Sequence, residues 1–120
     1  MTSRGRGGRR RGARPVVRWT DRARRDLLQI GDHIAADNPA AAESWVAKLL
    51  ELAARAGALP RAGRRVPEIG RDDVREVFLR TYRLVYRVTD DGIHVLTVSE
   101  GHRLLPREVL ADDALKGGNE

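Results

Sequence analysis

The stretch VREVFLRTYRLVYRVTDDGIHVLTVSEGHRLLP, residues Val74–Pro106, decides the fold of this 120-residue chain. It predicts three consecutive strands, at Val74–Arg80, Tyr82–Thr89 and Ile93–Ser99, joined by two tight turns. Asp90-Asp91-Gly92 is typical of a hairpin turn in which the glycine takes a positive φ. Strands joined this closely pair antiparallel, so we expect a three-stranded meander.

The middle strand alternates between apolar and mixed positions. Its two sets are Tyr82, Leu84, Tyr86 and Val88 on one side, and Arg83, Val85 and Arg87 on the other. Because this period of two places each set on its own face, we expect one buried face and one polar face. A meander of this size needs apolar cover to be stable in water. We therefore expect the rest of the chain to cover one face, and function to lie on the face left open.

The chain before the meander predicts that cover. Pro15–Trp19 (PVVRW) is typical of a short strand. Thr20 is a good N-cap for a first helix, and Asn38 followed by Pro39 starts a second, which Gly57 ends after about Ala56. Both segments show helical apolar spacing, at Ala23, Leu27, Ile30 and Ile34, and at Ala42, Trp45, Leu49, Leu52 and Ala56. A short junction makes them an antiparallel hairpin.

The predicted fold class is α+β, with the order β-α-α-β-β-β and a short C-terminal helix. Residues 58–73 contain two prolines, two glycines and four arginines, and predict a loop. Arg107–Leu115 could form the last helix and pack Val109, Leu110 and Leu115. The first strand can reach an edge of the meander only by crossing over the helices. The helical hairpin then covers the antiparallel meander.

The formal charge of +6 comes from one end of the chain. Six of the 23 basic residues lie in residues 1–14, which have no acid, so that 17 basic and 17 acidic residues remain elsewhere. We expect residues 1–14 to be a disordered basic tail, either a polyanion-binding arm or a segment with no role. Residues 15–116 would form one domain, and residues 117–120 a frayed end.

Composition also limits the function classes. No apolar run is long enough to span a membrane, and no apolar stretch follows the basic start as a secretory signal would require. The chain has no cysteine, which excludes disulfides and thiolate chemistry and fits a cytoplasmic protein. The three histidines are far apart, so we expect no metal site. No cofactor motif is present.

The chain from about Val16 to Pro106 resembles the RelE/ParE superfamily of bacterial type II toxins, and is closer to the ParE-like members. The resemblance implies a small α+β toxin that a cognate antitoxin binds and silences. It also implies one of two targets: RelE-like members cut messenger RNA on the ribosome, whereas ParE-like members poison DNA gyrase. The matching segments are VRWTDRARRDLLQIGDHIAADNPAAAESWV, LPRAGRRVPE, VREVFLRTYRLVYRV and VLTVSEGHRLLP.

The resemblance to the nucleases is incomplete in the residues that would move protons. Arg83 and Arg103 match the arginines that hold phosphate in RelE-like enzymes. No lysine occurs between Lys48 and Lys116, and Val109 stands where those enzymes have a tyrosine. His102 and Glu100 could substitute in proton transfer, since histidine titrates near neutral pH. The catalytic candidates of a nuclease are therefore Arg83, Arg103, His102 and Glu100, without a complete set.

Three hypotheses follow from these residues. The first is a ParE-like gyrase inhibitor that is not an enzyme, the second a ribosome-dependent endoribonuclease, and the third an interaction protein that is not toxic. Guanidinium groups suit carboxylate and phosphate recognition. The candidates for target or phosphate binding are Arg75, Arg80, Arg83, Arg87 and Arg103. The resemblance implies an antitoxin helix across the hairpin, for which the candidate contacts are Leu28, Ala35, Val46 and Leu50.

Overall fold

The computed structural model describes residues 14–101 and 104–116. The predictions of a disordered tail and a frayed C-terminus fall on residues 1–13 and 117–120, outside this range, as do His102 and Arg103. Within the described range, no helix is both long and apolar enough to cross a membrane.

The fold is α+β, as predicted. The strands are β1 (Val16–Trp19), β2 (Arg64–Arg65), β3 (Val74–Leu79), β4 (Tyr82–Thr89) and β5 (Gly92–Glu100). They form one mixed sheet in the order β1-β5-β4-β3-β2. The meander strands pair antiparallel, and β1 pairs parallel with β5 at one edge because the chain crosses over the helices, as predicted. The β2 strand was not predicted; it lies in the expected loop and pairs antiparallel with β3.

Two helices, α1 (Asp21–Ala35) and α2 (Pro39–Ala58), form the predicted hairpin. The predicted caps are confirmed, because Thr20 accepts a hydrogen bond from the Ala23 amide at 3.0 Å and Asn38 accepts one from the Ala41 amide at 3.1 Å. The predicted stop at Gly57 is wrong.

Gly57 lies inside α2 and is buried. A Cβ atom at this position would come within 2.7 Å of the Val17 side chain, so close packing against β1 explains the glycine.

The sheet has an apolar core on each face. The hairpin face packs α1 and α2 on β4 and β5, with Leu49, Leu84 and Tyr86 fully buried. The opposite face packs Val66, Val85 and Leu96 against Leu105, Val109 and Leu115 from the end of the chain. The expectation that this second face stays open is therefore wrong. It is covered by the segment after β2 and by the C-terminal segment.

The C-terminal cover consists of two short helices in place of the single predicted one. They are α3 (Arg107–Leu110) and α4 (Asp113–Lys116). Val109 and Leu115 are buried as expected, whereas Leu110 is 44% exposed and does not pack. Two arginines hold this cover, since Arg71 donates to the Leu115 carbonyl at 2.8 Å and Arg87 donates to the Ala114 carbonyl.

The two turns of the meander differ from the prediction in which residue has a positive φ. Gly92 does not have a positive φ, but an added Cβ would lie 1.9 Å from the Val16 carbonyl oxygen. The glycine is needed because β1 passes so close. The turn between β3 and β4 instead places Arg80 at φ 56°, a left-handed conformation that is uncommon for a residue with a side chain.

Candidate functional site

Arg83, in the middle of the sheet, is the centre of an ion-pair network on the second face. Its Nε donates to Glu76 at 2.6 Å, and its two terminal nitrogens donate to the two oxygens of Glu68 at 3.1 and 2.8 Å. Arg64 donates to the other oxygen of Glu76 at 2.8 Å. The Glu76 side chain is fully buried and that of Arg83 is 6% exposed. We call these four residues the Arg83 network.

The contact between Arg83 and Glu68 favours the charged forms of both residues. Burial alone would lower the pKa of Arg83, but hydrogen bonds to Glu68 and Glu76 outweigh it and raise that pKa. The hydrogen bond from Arg83 lowers the pKa of Glu68. Two guanidinium groups therefore face two carboxylates, so the network is neutral as a whole and Arg83 holds two internal anions.

Arg75, Arg80 and Arg87, the other predicted arginines within the described residues, do not converge on Arg83. Arg75 pairs in register with Tyr86, which places it on the hairpin face, where it donates to the Asp72 and Gly63 carbonyls at 2.8 and 2.9 Å. Arg87 shares the face of Arg83 but is bound to the C-terminal cover. Arg80 is exposed at its turn, 5.9 Å from the centre of the Trp45 ring.

Glu100 lines a cleft on the other side of the sheet, between α1 and the ends of β4 and β5. This cleft has a volume of about 330 Å³, and Arg22, His33 and Tyr82 also line it. Burial, followed by the charge of Glu100, raises the pKa of the Tyr82 hydroxyl, which therefore stays protonated at neutral pH. The structure thus places Glu100 and Arg83 in different cavities. His102 and Arg103 lie outside the described residues.

The four predicted antitoxin contacts share one apolar groove on the outer side of the hairpin. This groove, of about 480 Å³, lies between α1 and α2. Leu28 is 66% exposed and Leu50 is 46% exposed, so two large apolar side chains face solvent there. Asp32 and Glu43 supply the charged positions. We call this site the hairpin groove, and its lining residues are Leu27, Leu28, Gly31, Asp32, Ala35, Pro39, Ala42, Glu43, Val46, Ala47 and Leu50.

Sequence reasoning considered that the arginines pair with nearby acids, among them Glu68 and Glu76, but did not assign these two as the partners of Arg83. Glu76 and Arg83 lie on the same face of neighbouring strands, and the strand alternation could have indicated this pair. Glu68 lies in the loop before β3, and no local pattern places it beside Arg83. Asp26 was also missed, although it follows Arg22 by one helical turn; it accepts hydrogen bonds from Thr97 and from the Val98 amide and ties α1 to the sheet.

Comparisons with known proteins agree with this architecture. A family model for the ParE toxin of the type II toxin-antitoxin system parDE matches residues 17–105. A protein of Sinorhizobium fredii named "Putative toxin Y4kP" is 35% identical over 98 residues, which is 79% of this chain and 97% of that protein. Among solved structures, a chain of a chromosomal ParDE system from P. aeruginosa has a TM-score of 0.60 at 24% identity, covering 72% of this chain and 95% of that one.

A chain of the RelBE2 toxin-antitoxin complex from Mycobacterium tuberculosis has a TM-score of 0.49 at 26% identity, over 75% of this chain and 94% of that one.

Proposed function

The chain belongs to the ParE toxin family of type II toxin-antitoxin systems, and from this premise we propose that it inhibits DNA gyrase and leaves RNA uncut. One observation carries the choice between the two targets. The arginine that a RelE-like nuclease would use to hold the scissile phosphate, Arg83, is bound to Glu76 and Glu68.

The surroundings of Arg83 support a role in which the chain does not cleave RNA. Cleaving RNA through its 2′-hydroxyl needs a base, an acid and cations around the phosphate. The pocket beside Arg83 is lined by Arg64, Pro67, Glu68, Phe78 and Arg83 within the described part of the chain. Arg83 holds both carboxylates of the network, and the hydrogen bond from Arg83 lowers the pKa of Glu68. That carboxyl is a poor proton donor near neutral pH.

The target contact of this proposal is the turn between β3 and β4. Arg80 is exposed there, next to the ring of Trp45, and both can contact a partner without breaking the ion pairs of the core. Arginine and tryptophan are residue types enriched at the energetic centres of protein interfaces, and Trp45 is half-buried beside the exposed Arg80. Arg75 and Arg87 lie at the other end of these strands, where each binds a backbone carbonyl, and they are not part of this surface.

A biochemical comparison tests the target. Purified protein is added to a gyrase supercoiling reaction on relaxed plasmid, and separately to ribosomes translating a defined messenger RNA, with primer extension as the readout. We expect loss of supercoiling and intact RNA. Cuts in the ribosomal A site with normal supercoiling would assign the chain to the nucleases, and normal growth on expression without any antitoxin would make it a non-toxic interaction protein.

A point variant locates the contact. Arg80→Asn removes the charge while keeping a residue that tolerates the left-handed backbone. We expect it to weaken gyrase inhibition by about tenfold, the effect of losing about 1.4 kcal/mol of binding. The control is Arg24→Ala, which removes a charge with a 67% exposed side chain on α1. Equal inhibition by both variants would remove the turn from the interface.

The partner proposed for the hairpin groove is the cognate antitoxin, bound as an amphipathic helix. An exposed apolar groove between two helices is the form of site that takes the apolar face of a third helix. Small side chains at Gly31, Ala35 and Ala47 let a partner backbone approach closely. Asp32 and Glu43 would pair with basic residues of that helix. Binding there leaves both sheet faces unchanged.

A further inference from the structure

The cleft between α1 and the ends of β4 and β5 is separate from the two contacts proposed above. Tyr82 and Glu100 are partners in register at this end of the sheet, so both side chains lie on the hairpin face. Gln29 and His33 of α1 complete the polar lining. The volume of about 330 Å³ falls within the range of small-molecule sites, about 300–1,000 Å³. We call this site the Tyr82 cleft.

The Tyr82 hydroxyl is a buried polar group of this cleft. Tyr82 is only 9% exposed, and its ring is fixed by an edge-on contact with the Trp45 ring, with 5.6 Å between the centroids. The hydroxyl makes no hydrogen bond to any residue in the described part of the chain. Burial, followed by the charge of Glu100, raises the pKa of Tyr82, which indicates that the hydroxyl lies close to this carboxylate. Because buried hydroxyls are normally hydrogen-bonded, this one is available to a ligand in the cleft.

Glu100 supplies the uncompensated charge of the Tyr82 cleft. Arg22, the arginine of the lining, donates to Asp26 at 3.1 Å and lies 3.6 Å from Glu108. Asp26 also accepts hydrogen bonds from β5, so the fold itself holds both of these charges. The exposed Glu100 side chain forms no ion pair or hydrogen bond with the residues that the structure describes. A free carboxylate beside a neutral hydroxyl favours a cation as the ligand.

The apolar part of the lining indicates what the rest of the ligand is. Leu104 and Pro106 also line the cleft, and Leu104 is 81% exposed. A large apolar side chain beside a carboxylate suits a ligand that has an aliphatic chain behind its cationic head. Alkyl ammonium and alkyl guanidinium groups have this form, and both carry several N–H donors. Gln29 and Tyr82 offer oxygen acceptors for the donors that Glu100 does not take.

We propose that the Tyr82 cleft binds an alkyl cation, with Glu100 as the counterion and the Tyr82 hydroxyl as a hydrogen-bond partner. Leu104 contacts the aliphatic chain of the ligand. The cation comes either from a free amine or guanidine, or from a lysine or arginine side chain of a protein partner, since the chemistry is the same for both. The site binds and does not react, and its test depends on neither the gyrase nor the antitoxin proposal.

Titration with butylguanidinium and with butylammonium tests this site. The amide resonances of the cleft residues in NMR spectra should shift and saturate with at least one of these cations. Glu100→Gln keeps the size of the side chain and should weaken binding by about tenfold or more, because it removes a charged hydrogen-bond acceptor. The matched control is Glu51→Gln, which changes the net charge equally at an exposed position of α2 outside the cleft. Its affinity should equal that of the wild type.

Tyr82→Phe separates a binding role of the hydroxyl from a structural one. The variant should bind the cation about threefold to tenfold more weakly, the effect of losing one hydrogen bond. Its unfolding midpoint should equal that of the wild type, because the hydroxyl has no partner among the described residues. Unchanged affinity with a lowered midpoint would show that the hydroxyl serves the fold, and would overturn its assignment to the site.

Further ligands test the charge and identify the source. Butyrate keeps the aliphatic chain and reverses the charge, so it should cause no saturable shift. Tighter binding of N-acetylarginine amide than of butylguanidinium would point to a protein side chain as the source, and the reverse order to a free small molecule. Equal binding of butyrate and the cations would overturn the proposal. So would unchanged affinity in Glu100→Gln, or the absence of a saturable shift with either cation.

Discussion

The two faces of the central sheet carry arginine and apolar residues in contrasting ways. On the second face lie Arg83 and Arg87, two of the arginines that make this part of the sequence rich in positive charge. Arg83 is bound to carboxylates and Arg87 to a backbone carbonyl. On the hairpin face, apolar residues are buried against the sheet, but the outer side of the hairpin still exposes Leu28 and Leu50. A residue is available for binding according to its partners in the fold, and its type alone does not decide this.

The second face and the hairpin groove therefore have different roles. The charges of the second face are paired with one another, so removing one partner should destabilise the fold. The hairpin groove contributes little to stability, since its large apolar residues are already in contact with water. Variants on the second face should therefore lose stability, whereas variants in the hairpin groove should lose binding.

The largest effect is expected from Arg83→Ala. Removing one partner of a buried pair costs about 3–5 kcal/mol because the opposite charge stays buried without its partner; here Glu76 would retain only Arg64. Urea unfolding followed by circular dichroism measures the loss. Arg24→Ala, on an exposed pair with Asp21, should change the free energy of unfolding by less than about 1 kcal/mol. A similar small change for Arg83→Ala would mean that the network does not stabilise the second face.

Leu28→Glu should produce the next largest effect, on binding alone. A charge in the hairpin groove opposes an apolar partner, and we expect antitoxin affinity to fall about 30- to 100-fold, or about 2–3 kcal/mol. The binding partner in this experiment is the cognate antitoxin, and calorimetry gives the affinity. Leu59→Glu is the control, since Leu59 is 68% exposed and lies outside the groove. Unfolding midpoints of both variants should match the wild type; equal affinity of both variants would place the antitoxin elsewhere.

Tyr86→Phe tests the polar contact of the hairpin face. The Tyr86 hydroxyl donates to the Pro60 carbonyl at 2.6 Å and lies beside Gly63, at the start of the segment that leads to β2. Losing this hydrogen bond should cost about 0.5–1.5 kcal/mol. Thermal unfolding measures it. A loss above that of Arg83→Ala would reverse the contrast between the two faces.

The smallest effect is a change in acid stability. The pKa of Glu68 is lowered in the folded chain, so its ion pair stabilises the protein above the ordinary value of 4.5 and is lost as the pH falls through the lowered pKa. The wild type should therefore lose stability below about pH 4.5, and Glu68→Gln should lose less. Because Glu68 is partly exposed, the difference should stay below about 1 kcal/mol. Identical pH profiles would show that the contact with Arg83 does not couple to folding.

Much of the fold followed from local patterns. The existence of β4 and the caps at Thr20 and Asn38 depend on neighbouring residues, and each was confirmed. The predicted polar face of β4 was wrong, because Arg83 and Val85 are buried. Gly57 and Gly92 were misread because their reasons are contacts with β1, far away in the sequence. The cover of the second face was missed for the same reason, since it is built from segments on both sides of the meander.

The candidate sites divide in the same way. Leu28 falls outside the apolar stripe of α1, so the sequence could indicate an exposed apolar residue on the hairpin. The sequence could not indicate that Glu68 meets Arg83, because this depends on the path of the chain between β2 and β3. The number of arginines therefore indicated a positively charged surface, whereas in the fold these arginines are paired with carboxylates.

The parallel pairing of β1 with β5 also sets the order in which the chain can fold during synthesis. β1 is made before the helices, and its partner strand β5 is made after them; the Thr20 hydroxyl donates a hydrogen bond to the Leu96 carbonyl across 76 residues. Contacts over such separations form slowly, because a long loop must close first. The sheet is thus completed only after β5 has been made. A partner already present at that moment meets the hairpin, which is formed from local contacts, before it meets the finished toxin.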